Sequence, residues 1–156
     1  CSLDISETSR IKDMLGLLSL YFDKPLILIN HQLDKQTKQM VCGYALGHYL
    51  EHQLLMDLHT LNKFLTIKDK HILLYEHNAF TSHLMLDSDE VYQMTKRGLD
   101  AAQISVAKRI HLNLVMVKLL ELHHLGYDLR HYHAQHYAFI KQFNLPAHFQ
   151  FDVAAG

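Results

Sequence analysis

Between Met40 and Leu58 the chain reads MVCGYALGHYLEHQLLMDL, and no other stretch restricts the fold as much. Met40, Val41, Leu46, Tyr49, Leu50, Leu54 and Leu58 occupy more than one stripe of a helical wheel. A helix that is apolar nearly all round must be enclosed on several sides, so the pattern predicts a central helix from Lys38 to Leu58. Gly43 and Gly47, four residues apart, each cost about 1 kcal/mol relative to alanine inside a helix. They are tolerated where another backbone or a ligand must come close.

The same helix carries His48, Glu51 and His52. Residues three and four apart share a helix face, with Cβ atoms roughly 5–6 Å apart. His48 and His52 can therefore grip one metal ion while Glu51 acts as base on a bound water. In this register the residues spell H-x-x-E-H, the inverted zinc-protease motif. Moved four residues earlier, Tyr44-Ala45-Leu46-Gly47-His48 is a degraded H-E-x-x-H. The two registers predict different proteins.

Around this helix the chain divides into short elements. Ser9 to Phe22 places Ile11, Met14, Leu15, Leu18 and Phe22 at spacings of three and four, which predicts an amphipathic helix capped by Ser9. Leu26 to Ile29, closed by Asn30, is a continuous apolar run after a proline and predicts a buried strand in a small sheet. His31 to Lys38 is a polar turn plus the first turn of the central helix. Strand or loop to about Leu74 precedes a helix to Leu86. Ser88 is expected to cap a short helix ended by Gly98, and Asp100 to cap another from Ala101 to Ile110. Asn113 to Leu125 is an amphipathic helix closed by Gly126, and Asp128 to Phe143 predicts a final helix rich in His and Tyr.

At 156 residues the length suits one domain. We expect a single domain over 1–156, with a core at about 9–98 and a helical C-terminal lobe at about 99–143. Fifteen Lys and Arg against sixteen Asp and Glu leave a net charge of −1, which argues against a broad nucleic-acid footprint. No apolar run is long enough to span a membrane and no signal-peptide pattern is seen, so a cytoplasmic location is expected. Cys1 and Cys42 are too few for a disulfide framework and are expected as reduced thiols, Cys42 buried rather than nucleophilic.

Three segments in order carry a family resemblance. Leu28-Ile29-Asn30 followed by Met40 to His48 resembles the apolar-apolar-Asn and F-T-x-A-H-E-L-G-H pattern of the ImmA/IrrE family of zinc metallopeptidases. Glu76-His-Asn78-Ala-Phe80-Thr-Ser-His-Leu84-Met85-Leu86 resembles that family's E-A-N-x-F-A-x-x-L-L-M-P. Ile104 to Ala107, then Val115 to Gly126, resembles its C-terminal pair of helices. The resemblance covers about Leu26 to Gly126. It implies an α+β, mostly helical, zincin-like fold with a small sheet and a helical C-terminal lobe. It also implies a phage or mobile-element protein acting on a helix-turn-helix repressor, and a zinc ion held by two histidines and a glutamate.

Carried over by position, the second histidine of the motif is His48 and the helix glutamate is Glu76. Tyr44 falls on the first histidine and Ala45 on the catalytic glutamate. A catalytic zinc needs three ligands, an open position for water and a base in reach of that water. Two ligands survive in this register and the base does not. The shifted register, with His48 and His52 as ligands and Glu51 as base, moves the pair about 6 Å along the helix and rotates it by about 40°, away from Glu76.

The leading expectation is thus a retained fold with lost chemistry. His48 is hydrogen-bonded to Glu76, Tyr44 and Ala45 fill the old cavity, and zinc is absent or weakly bound. The function expected is regulation by binding a helix-turn-helix repressor without cutting it, with no direct nucleic-acid contact and no membrane. The alternative is an active zinc endopeptidase that cleaves the repressor. A weaker one is a small DNA-binding module built on Asp100 to Leu125, whose Asn113-Leu-Val-Met-Val-Lys-Leu-Leu is mostly core rather than base-reading. His123, His124, His131, His133 and His136 form a C-terminal cluster expected to be solvated surface.

Overall fold

The computed structural model describes residues 3–22, 24–55, 65–67 and 75–129, with the backbone alone at residue 20 and at 52–55 and 65–67. Its elements are β1 (Asp4–Thr8), β2 (Gly16–Tyr21), β3 (Lys24–Asn30), α1 (Lys35–Leu55), β4 (Leu65–Ile67), α2 (Tyr75–Met85), α3 (Ser88–Lys96), α4 (Ala101–Lys108) and α5 (Leu112–His124). The four strands form one sheet in the order β1-β3-β2-β4. The architecture is α+β and mostly helical, as the sequence implies.

β3 is the strand predicted at Leu26 to Ile29, and it lies inside the sheet. It pairs in parallel with β1, Asp4 opposite Leu26 and Thr8 opposite Asn30, and antiparallel with β2, Gly16 opposite Ile29 and Tyr21 opposite Lys24. Pro25, Ile27 and Ile29 are buried while Leu26 and Leu28 are half-buried, the period of two that a strand imposes. Asn30 ends the strand with work of its own. Its Nδ2 donates to the carbonyls of Ile11 and Met14, both at 3.0 Å, and its Oδ1 accepts from Gln32 N at 3.0 Å. The side chain thereby pins the 11–14 loop to the end of the sheet.

The helix expected over Ser9–Phe22 is not formed. Its C-terminal half is β2, and Ile11 reaches the core from a loop, 8% exposed. Leu18 sits at the point where a helix face and a strand face make the same demand, and pairing with β3 decides between them. Because Tyr21 pairs with Lys24, the chain reverses within a tight turn that holds Phe22 at φ 49°. Phe22 is 82% exposed there, far from the core position that a helix would have given it. β1 was not expected at all: its DISET sequence is a polar, exposed edge strand with no apolar period to betray it.

α1 starts at Lys35, its first turn lying in the polar segment before Lys38 as expected, and Asp34 caps it. Thr37 N donates to Asp34 Oδ1 at 3.0 Å and the Thr37 hydroxyl to Oδ2 at 2.5 Å, holding the Asp34 carboxyl below its ordinary pKa. As its composition requires, the helix is enclosed on more than one side. Val41, Tyr44, Ala45 and Tyr49 pack with Leu18, Ile27 and Ile29 of the sheet, whereas Met40 joins a second core with Leu86, Val91, Ile104, Leu114, Val115, Leu119 and Leu122. Full burial of an aliphatic side chain such as Ile27 stabilises by about 1.5–3 kcal/mol.

The helical half follows its caps closely. Asp87, not Ser88, caps α3, accepting from Glu90 N at 2.8 Å. Asp100 caps α4 in a reciprocal box with Gln103, and α4 ends at Lys108 rather than Ile110, with Arg109 left-handed at φ 54°. Gly98 and Gly126, at φ 85° and 89°, close α3 and α5 as glycine readily does. α5 buries Leu114, Val115, Val117, Lys118, Leu119, Leu120 and Leu122, so it is a core helix and not a free recognition helix. The helix expected at Asp128 to Phe143, with His131, His133 and His136, lies outside the described residues. His123 and His124 are exposed at the end of α5. Among the described residues no helix is long and apolar enough to cross a membrane.

Candidate metal site

Both glycines of α1 face α2. A Cβ on Gly43 would stand 2.3 Å from Thr81 Cγ2, and one on Gly47 would stand 2.8 Å from Phe80 Cδ1. Neither separation is compatible with a side chain, so the glycines let the two helices approach backbone to side chain. Residues later in α1 thus meet residues earlier in α2: the helices run antiparallel, and His48 and Glu51 are brought to His77.

His77 is the residue around which the site closes. It is buried, 7% exposed, and its Nε2 lies 2.9 Å from Glu51 Oε2 and 3.2 Å from His48 Nδ1. The Tyr44 and His48 rings stack at a tilt on either hand, with centroids 4.8 and 5.0 Å from that of His77. Its other nitrogen, Nδ1, is buried without a hydrogen-bond partner. Desolvation first, and the Glu51 charge second, push the Tyr44 phenol up to about 12, so it stays neutral at physiological pH.

One ring nitrogen each of His48 and His77 and a carboxylate oxygen of Glu51 converge within 4.8 Å of one another. Protonated, His77 Nε2 donates to Glu51; unprotonated, it accepts from His48 Nδ1–H; it cannot do both. A cation at the centre satisfies all three. Zinc–ligand distances of roughly 2.0–2.1 Å place tetrahedral ligand atoms about 3.3 Å apart, close to the 2.9 and 3.2 Å that separate His77 Nε2 from Glu51 Oε2 and His48 Nδ1. Two histidines and a carboxylate are also a donor set suited to zinc, with a fourth position left open. The residues present fit the ion.

Several expectations about this site need correction. Glu76 is exposed and does not reach the group; the hydrogen bond expected between it and His48 is made by His77 instead. Neighbours on a helix differ by about 100° in direction. The roll of α2 that seats Thr81 on Gly43 turns inward His77, one turn before Thr81, and leaves its neighbour Glu76 exposed. Glu51 is held by His77 rather than free as a base. Tyr44 and Ala45 are buried, 2% and 0% exposed, in the core between α1 and the sheet. The side chain of His52 lies outside the described residues. Cys42 is a free, half-buried thiol whose pKa burial raises, in keeping with a structural role.

A model of the IrrE N-terminal-like domain matches residues 7–119, well over half of the chain. No curated protein and no solved structure matches.

Proposed function

Since this chain belongs to the family of IrrE N-terminal-like domains, a metallopeptidase-type family, we propose that it is a regulatory protein that binds a helix-turn-helix repressor through the metallopeptidase fold without hydrolysing it. The observation that carries this reading is Ala45. At the position that the sequence resemblance assigns to the family's catalytic glutamate, Ala45 offers a fully buried methyl group that can accept no proton. Hydrolysis needs a base within hydrogen-bond reach of the attacking water. The one carboxylate in the group, Glu51, is already engaged by His77 at 2.9 Å.

A zinc ion held by His48, Glu51 and His77 would supply Lewis acidity toward a water or a carbonyl oxygen in its open position. The chain's own residues do not complete that chemistry. Glu51 spends its charge on the ion or on His77, and Tyr44 is a neutral phenol enclosed by core. What the fold still offers is a surface. Leu50 on α1 and Phe80 and Leu84 on α2 are exposed large apolar side chains, 39%, 36% and 59%. Anchors of this kind supply affinity to a docked segment independently of bond cleavage. In this reading the protein acts in the cytoplasm of a cell carrying a phage or mobile element and alters transcription by sequestering or assisting the repressor.

Incubating the purified chain with helix-turn-helix repressors tests this directly. Intact repressor recovered in a stable complex, with or without added zinc, is the expected outcome. Discrete repressor fragments that disappear with a chelator would establish the endopeptidase in its place.

A further inference from the structure

We propose that His48 Nδ1, a Glu51 carboxylate oxygen and His77 Nε2 bind one divalent transition metal ion, such as zinc, through a ligand set peculiar to this chain. Glu51 serves as a ligand rather than a base, and the ion fastens α1 to α2. This deepens the reading of the same site but stands on the chain alone, with no repressor required.

Four features of the site converge on it. The donor atoms come from two elements whose close approach is also fixed outside the site, by Gly43 against Thr81 and Gly47 against Phe80. His48 and Glu51 are three apart on α1, which puts both on the face toward α2. His77 is buried with its Nε2 shared between two partners that one proton cannot serve. The Glu51 side chain is 43% exposed, which gives an ion a path from solvent.

The set also differs from what the resemblance assigns by position. Tyr44, Ala45 and Glu76 contribute nothing to it. A carboxylate three residues after a histidine on one helix replaces the usual pair of histidines, and a histidine on the next helix replaces the glutamate. The result keeps two imidazoles and one carboxylate with their sources exchanged. Exchange of this kind preserves affinity for borderline-soft cations, and the free carboxylate that hydrolysis requires is lost separately, at Ala45.

The test is equilibrium dialysis of the chelator-stripped chain against Zn²⁺, with Co²⁺ absorption as a report of coordination. One equivalent of Zn²⁺, and the intense visible bands of tetrahedral Co²⁺, are expected. Glu51→Gln, a near-isosteric change at a half-exposed position, should weaken binding at least tenfold, as should His77→Ala, and circular dichroism checks that each remains folded. Glu76→Gln should bind as wild type does. No stoichiometric metal, or a loss on Glu76→Gln with retention on Glu51→Gln, would overturn the assignment. Either failure leaves the complex with intact repressor as a separate result, and fragments of repressor would leave the metal stoichiometry standing.

Discussion

Thr81 occupies the space that any side chain at Gly43 would need: a Cβ there would stand 2.3 Å from its Cγ2 and 3.0 Å from its Oγ1. The threonine hydroxyl is itself tied down, donating to the His77 carbonyl at 2.7 Å. This contact sets the roll and depth of α2 on α1, and with them the place of His77.

Gly43→Ala should therefore destabilise the fold despite the better helix propensity of alanine. Overpacking costs about 1–3 kcal/mol, offset by about 1 kcal/mol of propensity, for a net loss of up to roughly 2 kcal/mol. Thr81→Ser removes the offending methyl and keeps the hydroxyl, so Gly43→Ala should cost less in that background. Urea unfolding of the four proteins in the cycle measures the coupling. Strict additivity would mean that the helices are not held by this contact.

Stability should also fall as the pH drops from neutrality, in part through His111. This residue caps α5, its Nδ1 accepting from Asn113 N at 3.2 Å, and burial lowers its pKa below 6.5 although Asp34 pulls it upward. Above 6.5 the ring is neutral in both folded and unfolded chains and contributes no pH dependence. Below it the unfolded chain takes up the proton first, so stability is lost until the folded ring is protonated too. Asp34, whose pKa the Thr37 hydroxyl and N–H lower from 3.8, loses its contribution only as the pH falls below that value. His111→Asn keeps a capping side chain without a titration. Urea unfolding between about pH 7.5 and about 5.5 should show a smaller loss in the variant than in wild type. Equal losses would remove His111 from the account.

A second polar network joins α2 to α5. Lys118, 1% exposed, donates to His83 Nδ1 at 2.8 Å; His83 Nε2 lies 3.2 Å from Glu121 Oε2; and the Tyr75 hydroxyl donates to Glu121 Oε1. Burial lowers the Lys118 pKa while Asp87 and Glu121 draw it back up. Glu121→Gln removes the carboxylate that bonds His83 and Tyr75 and should cost about 1–3 kcal/mol, because a buried cation is left less compensated. Lys118→Met, which keeps the stem and removes the charge, should cost less. The double variant should recover part of the loss in chemical denaturation, and a double variant worse than the sum would contradict the pairing.

What could be read from the residues was what local pattern controls. α1 announces itself through its apolar breadth and paired glycines, β3 through an apolar run between Pro25 and Asn30, α3 through its closing Gly98, α4 through its Asp100 cap, and α5 through its apolar period and closing Gly126. β2 was misread because Leu18 and its neighbours satisfy a helical period as well as a strand, and the partner strand that decides is supplied by later sequence. The same holds at the site. His48 and Glu51 are visible together because one helix spaces them. His77 and Glu76 are adjacent, and only the seating of Thr81 on Gly43 determines which faces inward. A glutamate matched by position looked right, and a contact between distant residues made it the wrong neighbour.

The most demanding prediction concerns the ion and the fold together. If His48 and Glu51 on α1 and His77 on α2 share a metal, binding is possible only when the two helices are docked, so the ion must stabilise the native state. At a free concentration a hundredfold above its dissociation constant the gain is about 2.7 kcal/mol. For a chain of this size that corresponds to a rise in melting temperature of roughly 5–10 °C. A chelator should reverse it. Glu51→Gln should lose the zinc-dependent rise while melting near the wild-type apo temperature, since its amide can still meet His77. Glu76→Gln, at an exposed position on α2, should keep the rise in full. A melting temperature unmoved by zinc in the wild-type chain would leave the convergence of these three side chains as a proton-sharing cluster and remove the metal from the fold.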